Sequence, residues 1–492
     1  MSKQVILFMT DTQRKDMVGA YGNPDVQTPN LDRLAEKGLQ FEHCYTTNPV
    51  CGPARSSLFT GLYPHSNGSF ANGIAPSQHI KHIGERLTDA KIPTAYIGKW
   101  HLDGGDYFGK GIAPDGWDSA VWYDMRNYLD ELSDSDRIMV RNQASVLLGL
   151  DETITFAHRC SNRAIEYIEE HKNEDFFLVV SYDEPHHPYI CPKSFYDQFV
   201  SYEHPKSKNC FDTLSDKPAH QQLWADQLGI NPEDPLIDPY WFGCNSYVDY
   251  EMGRVLNTIE NQLRSPLIMY TSDHGGAFHS HRLNDKGPAM YDEITNVPFL
   301  VYHPDIKNRS LNDDLVVSHI DIAPTILEYF DVSISKSLQG TSLLDSMFVM
   351  EQKNPTPRFM EYTRYEVDHD GFGGYQPIRS VVTSTHKLII NLLTTDEFYD
   401  LSNDTEELTN LIHDPSYQTI RNELHDQLLD WMYDTRDPWR GYYWYHRPWR
   451  MDASPASWRD RGFTRQPVEE VDEPHPLDYA TGLPINEYTR KK

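Results

Sequence analysis

Short apolar runs, each followed by a polar cluster, set the pattern of this chain. They lie at Val5 to Met9, Thr94 to Ile97, Phe176 to Ser181, Leu267 to Tyr270 and Val297 to Tyr302. Continuous rather than alternating hydrophobicity predicts strands buried on both faces. Between the runs, apolar positions recur with helical spacing over Asn30 to Lys37, Ala157 to Glu170 and Tyr247 to Gln262. Strand and helix in alternation predict an α/β fold, a large mostly parallel sheet sandwiched by helices. In such folds reactive groups sit beyond the carboxyl ends of the strands. Asp11, then Lys99 with His101, then Asp183 to His187, then Asp273 with His274 occupy those places.

The pattern changes after about residue 354. Runs at Ile378 to Thr383 and Lys387 to Leu393 flank a Ser384-Thr385 turn, and a helical stretch follows from about Pro415 to Asp434. These features predict a smaller C-terminal α+β domain with an antiparallel sheet. The expected division is a catalytic α/β domain over 1–353, the small domain over 354–436 and a tail over 437–492. The tail is rich in Trp, Tyr, Arg and Pro, and disordered tails are poor in aromatics, so it is expected to be pinned on the surface.

Composition narrows the partners. A net charge of −29 over 492 residues leaves no basic excess to replace phosphate counterions, which excludes a nucleic-acid binder. An anionic substrate would then need a local pocket of Arg, Lys, His and metal. No apolar run is long enough to span a membrane, so no membrane partner is expected. The first residues lack the apolar segment of a secretory signal, which predicts a cytoplasmic protein as given, or a periplasmic or secreted one had a leader been removed. Cys44, Cys160, Cys191, Cys210 and Cys244 are expected to be free core thiols.

Cys51-Gly52-Pro53-Ala54-Arg55 is the most informative segment. Pro53 suits the first helical position, which places Cys51 at or just before a helix N-terminus, where free N–H groups favour anions. Arg55, four residues on, projects from the same side. A bare thiol so placed is expected to have a lowered pKa and to be a nucleophile in its own right. A buried structural cysteine is the plainer reading of these five residues. Asp11 and Thr271-Ser272-Asp273-His274-Gly275 close two strands and offer carboxylates and an imidazole suited to a hard cation, although Asp-His-Gly also describes an ordinary turn. Gly98-Lys99-Trp100-His101 follows a strand, and residues two apart on a strand point the same way, so Lys99 and His101 are expected to face one pocket. Glu184-Pro185-His186-His187-Pro188-Tyr189 forms a stiff loop presenting histidines, and Lys286 lies within return distance of the same mouth.

Taken together and in this order, these motifs resemble the type I, formylglycine-dependent sulfatases of the alkaline phosphatase superfamily. The resemblance covers nearly the whole chain. It includes Thr28-Pro29-Asn30-Leu31-Asp32-Arg33-Leu34, and Met9-Thr10-Asp11-Thr12-Gln13 and Tyr182-Asp183-Glu184-Pro185-His186-His187-Pro188 are those of bacterial sulfatases. It implies that Cys51 is oxidised to Cα-formylglycine by a formylglycine-generating or anaerobic sulfatase-maturating enzyme. It further implies that Asp11, Asp273, His274 and modified Cys51 bind Ca2+, with Mg2+ or Mn2+ as alternatives. Arg55 would hold the formylglycine, Lys99 and Lys286 the sulfate, and His101 the gem-diol, while His186 would be the general acid. The implied substrate is a sulfated oligosaccharide, and a uronate-containing one is expected. Arg364, Tyr365, Glu366, His369, Asp370 and the segment from Trp439 to Arg450 could grip it, or could instead cement the two domains. Thr12 stands where many relatives carry a second aspartate, and His274 where many carry asparagine. The Asp-His pair is shared with phosphonate monoester hydrolases, which makes a phosphonate monoester or phosphodiester hydrolase the alternative.

Overall fold

A computed structural model describes residues 2–105, 107–306, 315–348, 356–366, 374–454 and 481–483. The strands are β1 (Gln4–Thr10), β2 (Leu39–Phe41), β3 (His43–Tyr45), β4 (Thr94–Gly98), β5 (Phe176–Ser181), β6 (Leu267–Ser272), β7 (Phe299–Tyr302) and β8 (Val316–Ser318), then β9 (Arg358–Tyr362), β10 (Ile378–Val382), β11 (His386–Asn391) and β12 (Glu397–Asp400). The main sheet runs β2-β7-β6-β1-β5-β4. β1 pairs in parallel with β5 and β6, and β5 with β4, whereas β7 is antiparallel to both its neighbours. This is the expected α/β layout, with β7 as the single reversed strand.

Every residue of β1 is buried. The period of two splits its side chains between two cores. Ile6 and Phe8 pack with Ala157, Cys160 and Ile168 of helix Phe156–His171 and with Val248 and Met252 of helix Pro239–Gln262. Val5, Leu7 and Met9 pack with Leu58 and Phe59 of helix Cys51–Thr60 and with Ile322 and Ile326. Truncating Phe8 to alanine would cost about 3–5 kcal/mol.

Helix Pro239–Gln262 begins at Pro239 rather than Tyr247. Asp238 caps it by accepting from Trp241 N at 3.1 Å, and Pro239 takes its first turn. Trp241, Phe242 and Cys244 are buried on more than one side, which erases the amphipathic pattern there.

The second sheet, β12-β11-β10-β9, is antiparallel throughout, and β10 and β11 form the expected hairpin with Val382 opposite Lys387. Val381, Leu388 and Ile390 on it pack against Leu424, Leu428 and Met432 of helix Gln418–Asp434. Residues 437–454 are pinned to this unit: Trp444 is buried, Arg447 bonds Asp396 and Arg450 bonds Asp426. The rest of the tail, apart from 481–483, lies outside the described residues, as do His369 and Asp370. All six cysteines are free and buried. No helix among the described residues is long and apolar enough to cross a membrane.

Candidate active site

Adjacent strands β1 and β6 place Thr10 opposite Ser272, so Asp11 and Asp273 emerge side by side from the same sheet end. β5 and β4 continue the row, delivering Asp183 to His186 and Lys99 beside them. The chain leaves β4 at Gly98, whose φ is +123°, and a Cβ there would stand 1.9 Å from Ser181 O, so only glycine fits. His101, at φ +61°, is therefore off the strand, and it approaches the cluster through this turn rather than by alternation.

Cys51 is the first residue of its helix, with Pro53 at the third position rather than the first. The proline is tolerated there because first-turn N–H groups have no partner within the helix. Asn72 Oδ1 accepts from Gly52 N at 2.8 Å, satisfying one of them. Four ligand atoms, one each from Asp11, Cys51, Asp273 and His274, lie within 4.8 Å of one another. Cys51 Sγ is 3.1 Å from His274 Nε2 and 3.8 Å from Asp11 Oδ1. His274 Nδ1 donates to Gly275 O at 2.7 Å, which leaves Nε2 as a lone-pair donor facing inward.

The two carboxylates divide their oxygens. The Oδ2 atoms serve cations of the protein: Arg55 donates through Nε to Asp273 at 2.8 Å and through a terminal nitrogen to Asp11 at 3.0 Å, and Lys99 Nζ lies 2.8 Å from Asp11. The Oδ1 atoms turn toward Cys51 and His274. Two carboxylate oxygens, an imidazole nitrogen and a further atom from residue 51 form a donor set that fits a hard divalent cation such as calcium.

Arg55 also donates to Lys99 O and Ser181 Oγ, so these bonds go to the carboxylates and the sheet rather than to Cys51. Lys99 Nζ meets Asp11, Asp183 and Tyr107, which uses its three protons. Lys286 Nζ, equally buried, contacts Thr12 Oγ1 at 3.2 Å and Asp285 at 3.5 Å. Thr12, at φ +61°, donates to Asp11 Oδ1 at 2.7 Å, and so links that carboxylate to Lys286. His186 Nε2 is 3.9 Å from Asp11 Oδ1. Buried His101 Nδ1 has no hydrogen-bond partner among the described residues.

Electrostatics correct one expectation. Burial and the Asp11 charge push the Cys51 thiol up to about 12 rather than down, so the encoded thiol is a poor nucleophile. Burial would raise Asp11 too, but Lys99, His186 and Arg55 hold it well below the usual carboxylate range. Burial and the Asp11 charge raise Asp273. Burial and the nearby lysines push His186 and His101 well below an ordinary histidine.

Sequence reasoning passed over Tyr107, Asn72 and Ser181, and gave Asp183 no task. An aromatic residue inside the glycine-rich stretch after Lys99 was the available signal for Tyr107. Tyr365 borders the site: its carbonyl accepts from Asn72 N, and Lys286 and Cys51 act on its hydroxyl. Trp444, Arg447 and Arg450 instead hold the small sheet and its helix together.

The chain belongs to the sulfatase family, enzymes that hydrolyse sulfuric esters. The Sulfatase family model matches residues 3–332, and the model for the C-terminal part of N-sulphoglucosamine sulphohydrolase matches residues 279–434. The chain is 41% identical over 489 residues to a protein named uncharacterized sulfatase YidJ of Escherichia coli, covering 97% of this chain and 96% of the relative. A protein solved in complex with its substrate, D-glucosamine-2-N,6-O-disulfate, superposes with a TM-score of 0.71 at 21% identity, over 88% of this chain and 98% of that one. The phosphonate monoester hydrolase of Agrobacterium radiobacter reaches 0.72 at 20% identity, over 87% and 94%.

Proposed function

We propose that the chain hydrolyses a sulfate ester of a sulfated sugar, with the nucleophile carried by residue 51. The observation that carries this reading is the convergence of Cys51 on Asp11, Asp273 and His274 within 4.8 Å. Asp11 Oδ1, Asp273 Oδ1, His274 Nε2 and residue 51 would hold the cation. Cys51 converted by a maturation enzyme to Cα-formylglycine supplies, when hydrated, a hydroxyl for attack on sulfur, and bound calcium supplies positive charge for that oxygen.

Arg55 sets the two carboxylates and offsets their charge from below. Lys286 binds a sulfate oxygen, while Lys99 adds charge from its fixed place. His101 is neutral, with no partner for Nδ1 among the described residues, and takes a proton at residue 51. His186 gives a proton from Nε2 to the leaving sugar oxygen. The neighbour bound to a glucosamine disulfate supports glucosamine sulfates as the first substrates to test. Phosphonate or phosphodiester hydrolysis is the second reading, favoured by the likeness to a phosphonate monoester hydrolase and by the similar size of the tetrahedral anions. Comparing kcat/KM on a sulfated glucosamine and a matched phosphodiester tests both, and a preference for the phosphodiester would reverse their order.

A further inference from the structure

Tyr107 stands at the junction of three groups in the site. Its hydroxyl lies 2.5 Å from Asp183 Oδ1, 2.9 Å from Lys99 Nζ and 3.2 Å from His186 Nδ1. Its ring carries Lys99 Nζ 4.1 Å from the centroid and sits 5.4 Å from the His186 ring and 5.5 Å from that of His101. A phenol has one proton and can accept two hydrogen bonds. A carboxylate oxygen accepts only, so that proton points to Asp183. The ammonium of Lys99 donates only and takes one lone pair. Toward His186 the hydroxyl therefore has only its second lone pair to offer. The His187 carbonyl, 2.8 Å from the same Nδ1, is likewise an acceptor. Both neighbours thus require the proton on Nδ1.

We infer that Tyr107 is a positioning residue that holds His186 in the Nδ1–H form, with Nε2 turned to the leaving-group oxygen. Asp183 polarises the phenol and so supports the imidazolium that forms when Nε2 also carries a proton. In the step served, the bond between sulfur and the leaving oxygen breaks and its electron pair stays on that oxygen. The proton that the Nε2 lone pair has taken up from solvent beforehand moves there, and His186 is left neutral with Nδ1–H in place. Partners that fix the tautomer and ring orientation of a metal-ligating histidine typically matter by roughly 10- to 100-fold, and an effect of that order is expected here.

This inference rests on the role proposed above for His186. The test is Tyr107→Phe, which removes one oxygen and keeps the ring, with folding followed by thermal melting. The substrates are a sugar sulfate, whose alkoxide leaves poorly, and 4-nitrophenyl sulfate, whose phenolate leaves without help. The expected result is a fall in kcat of about 10- to 100-fold on the sugar sulfate, with little change in KM and less than about threefold loss on the aryl ester. An equal loss on both esters, or none, overturns the inference. Should the variant fail to fold, the wild type still decides it through its 15N-histidine side-chain spectrum, with the His186 signal assigned from His186→Ala. A neutral Nδ1–H tautomer supports the inference, and an Nε2–H tautomer overturns it. Failure of the wild type to cleave either ester would instead count against the function proposed for the site, with the spectrum still reading the tautomer of His186.

Discussion

Arg55 Nε lies 2.8 Å from Oδ2 of Asp273, and both side chains are fully buried. The same guanidinium spans to Asp11, so one cation stabilises two carboxylates that burial would otherwise disfavour. Arg55→Ala is expected to destabilise the chain by about 3–5 kcal/mol, because it leaves buried charge uncompensated. Urea unfolding measures this, and a loss below about 1 kcal/mol would show that the carboxylates do not depend on Arg55.

Calcium should bind the native state alone. At a hundred times its Kd it is expected to raise the unfolding free energy by about 2.7 kcal/mol. Asp273→Asn should remove most of that gain, since it halves the ligand charge at the site. Differential scanning calorimetry with and without calcium reads the effect independently of activity, and an equal upward shift in Asp273→Asn would place the ion elsewhere.

The two lysines should separate. Lys286→Met is expected to lower kcat/KM by about 100-fold or more, as loss of a donor at developing charge does, with a small change in stability. Lys99→Met should lose activity and also melt earlier, because Asp11 and Asp183 are left without their shared cation. Similar melting of both variants would contradict the division of labour.

Glu184 sets a pH dependence. Burial and the neighbouring Asp183 push its carboxyl up to about 8 from 4.5, and its Oε2 has no hydrogen-bond partner among the described residues. The folded state therefore holds this proton more tightly than the unfolded state. Its contribution is fully present below pH 4.5 and declines between there and about 8, at about 1.4 kcal/mol per pH unit. Glu184→Gln should flatten stability against pH across that window and be more stable than wild type near pH 8. Parallel curves for the two proteins would rule this out.

Much of the sheet was legible because buried parallel strands leave continuous apolar runs, as at Val5 to Met9. The site was legible for a related reason: polar residues that close such runs, like Asp11 and Asp273, have one place to go. Strands β2, β3 and β8 are three residues each, too short for periodicity to mark. The start of helix Pro239–Gln262 was hidden because Trp241 and Phe242 are buried on several sides. The rise in the Cys51 pKa was not legible, because the helix N-terminus is local whereas burial and the Asp11 charge come from distant segments. Tyr107 belongs to a loop whose path no repeat announces.

The most direct test is the mass of the peptide containing Cys51, taken from a preparation that is turning over a sulfated glucosamine. The account predicts an aldehyde at residue 51 that reacts with hydrazide and resists thiol labelling, with Cys51→Ala folded and inactive. Full turnover by protein whose Cys51 is an intact thiol would contradict it.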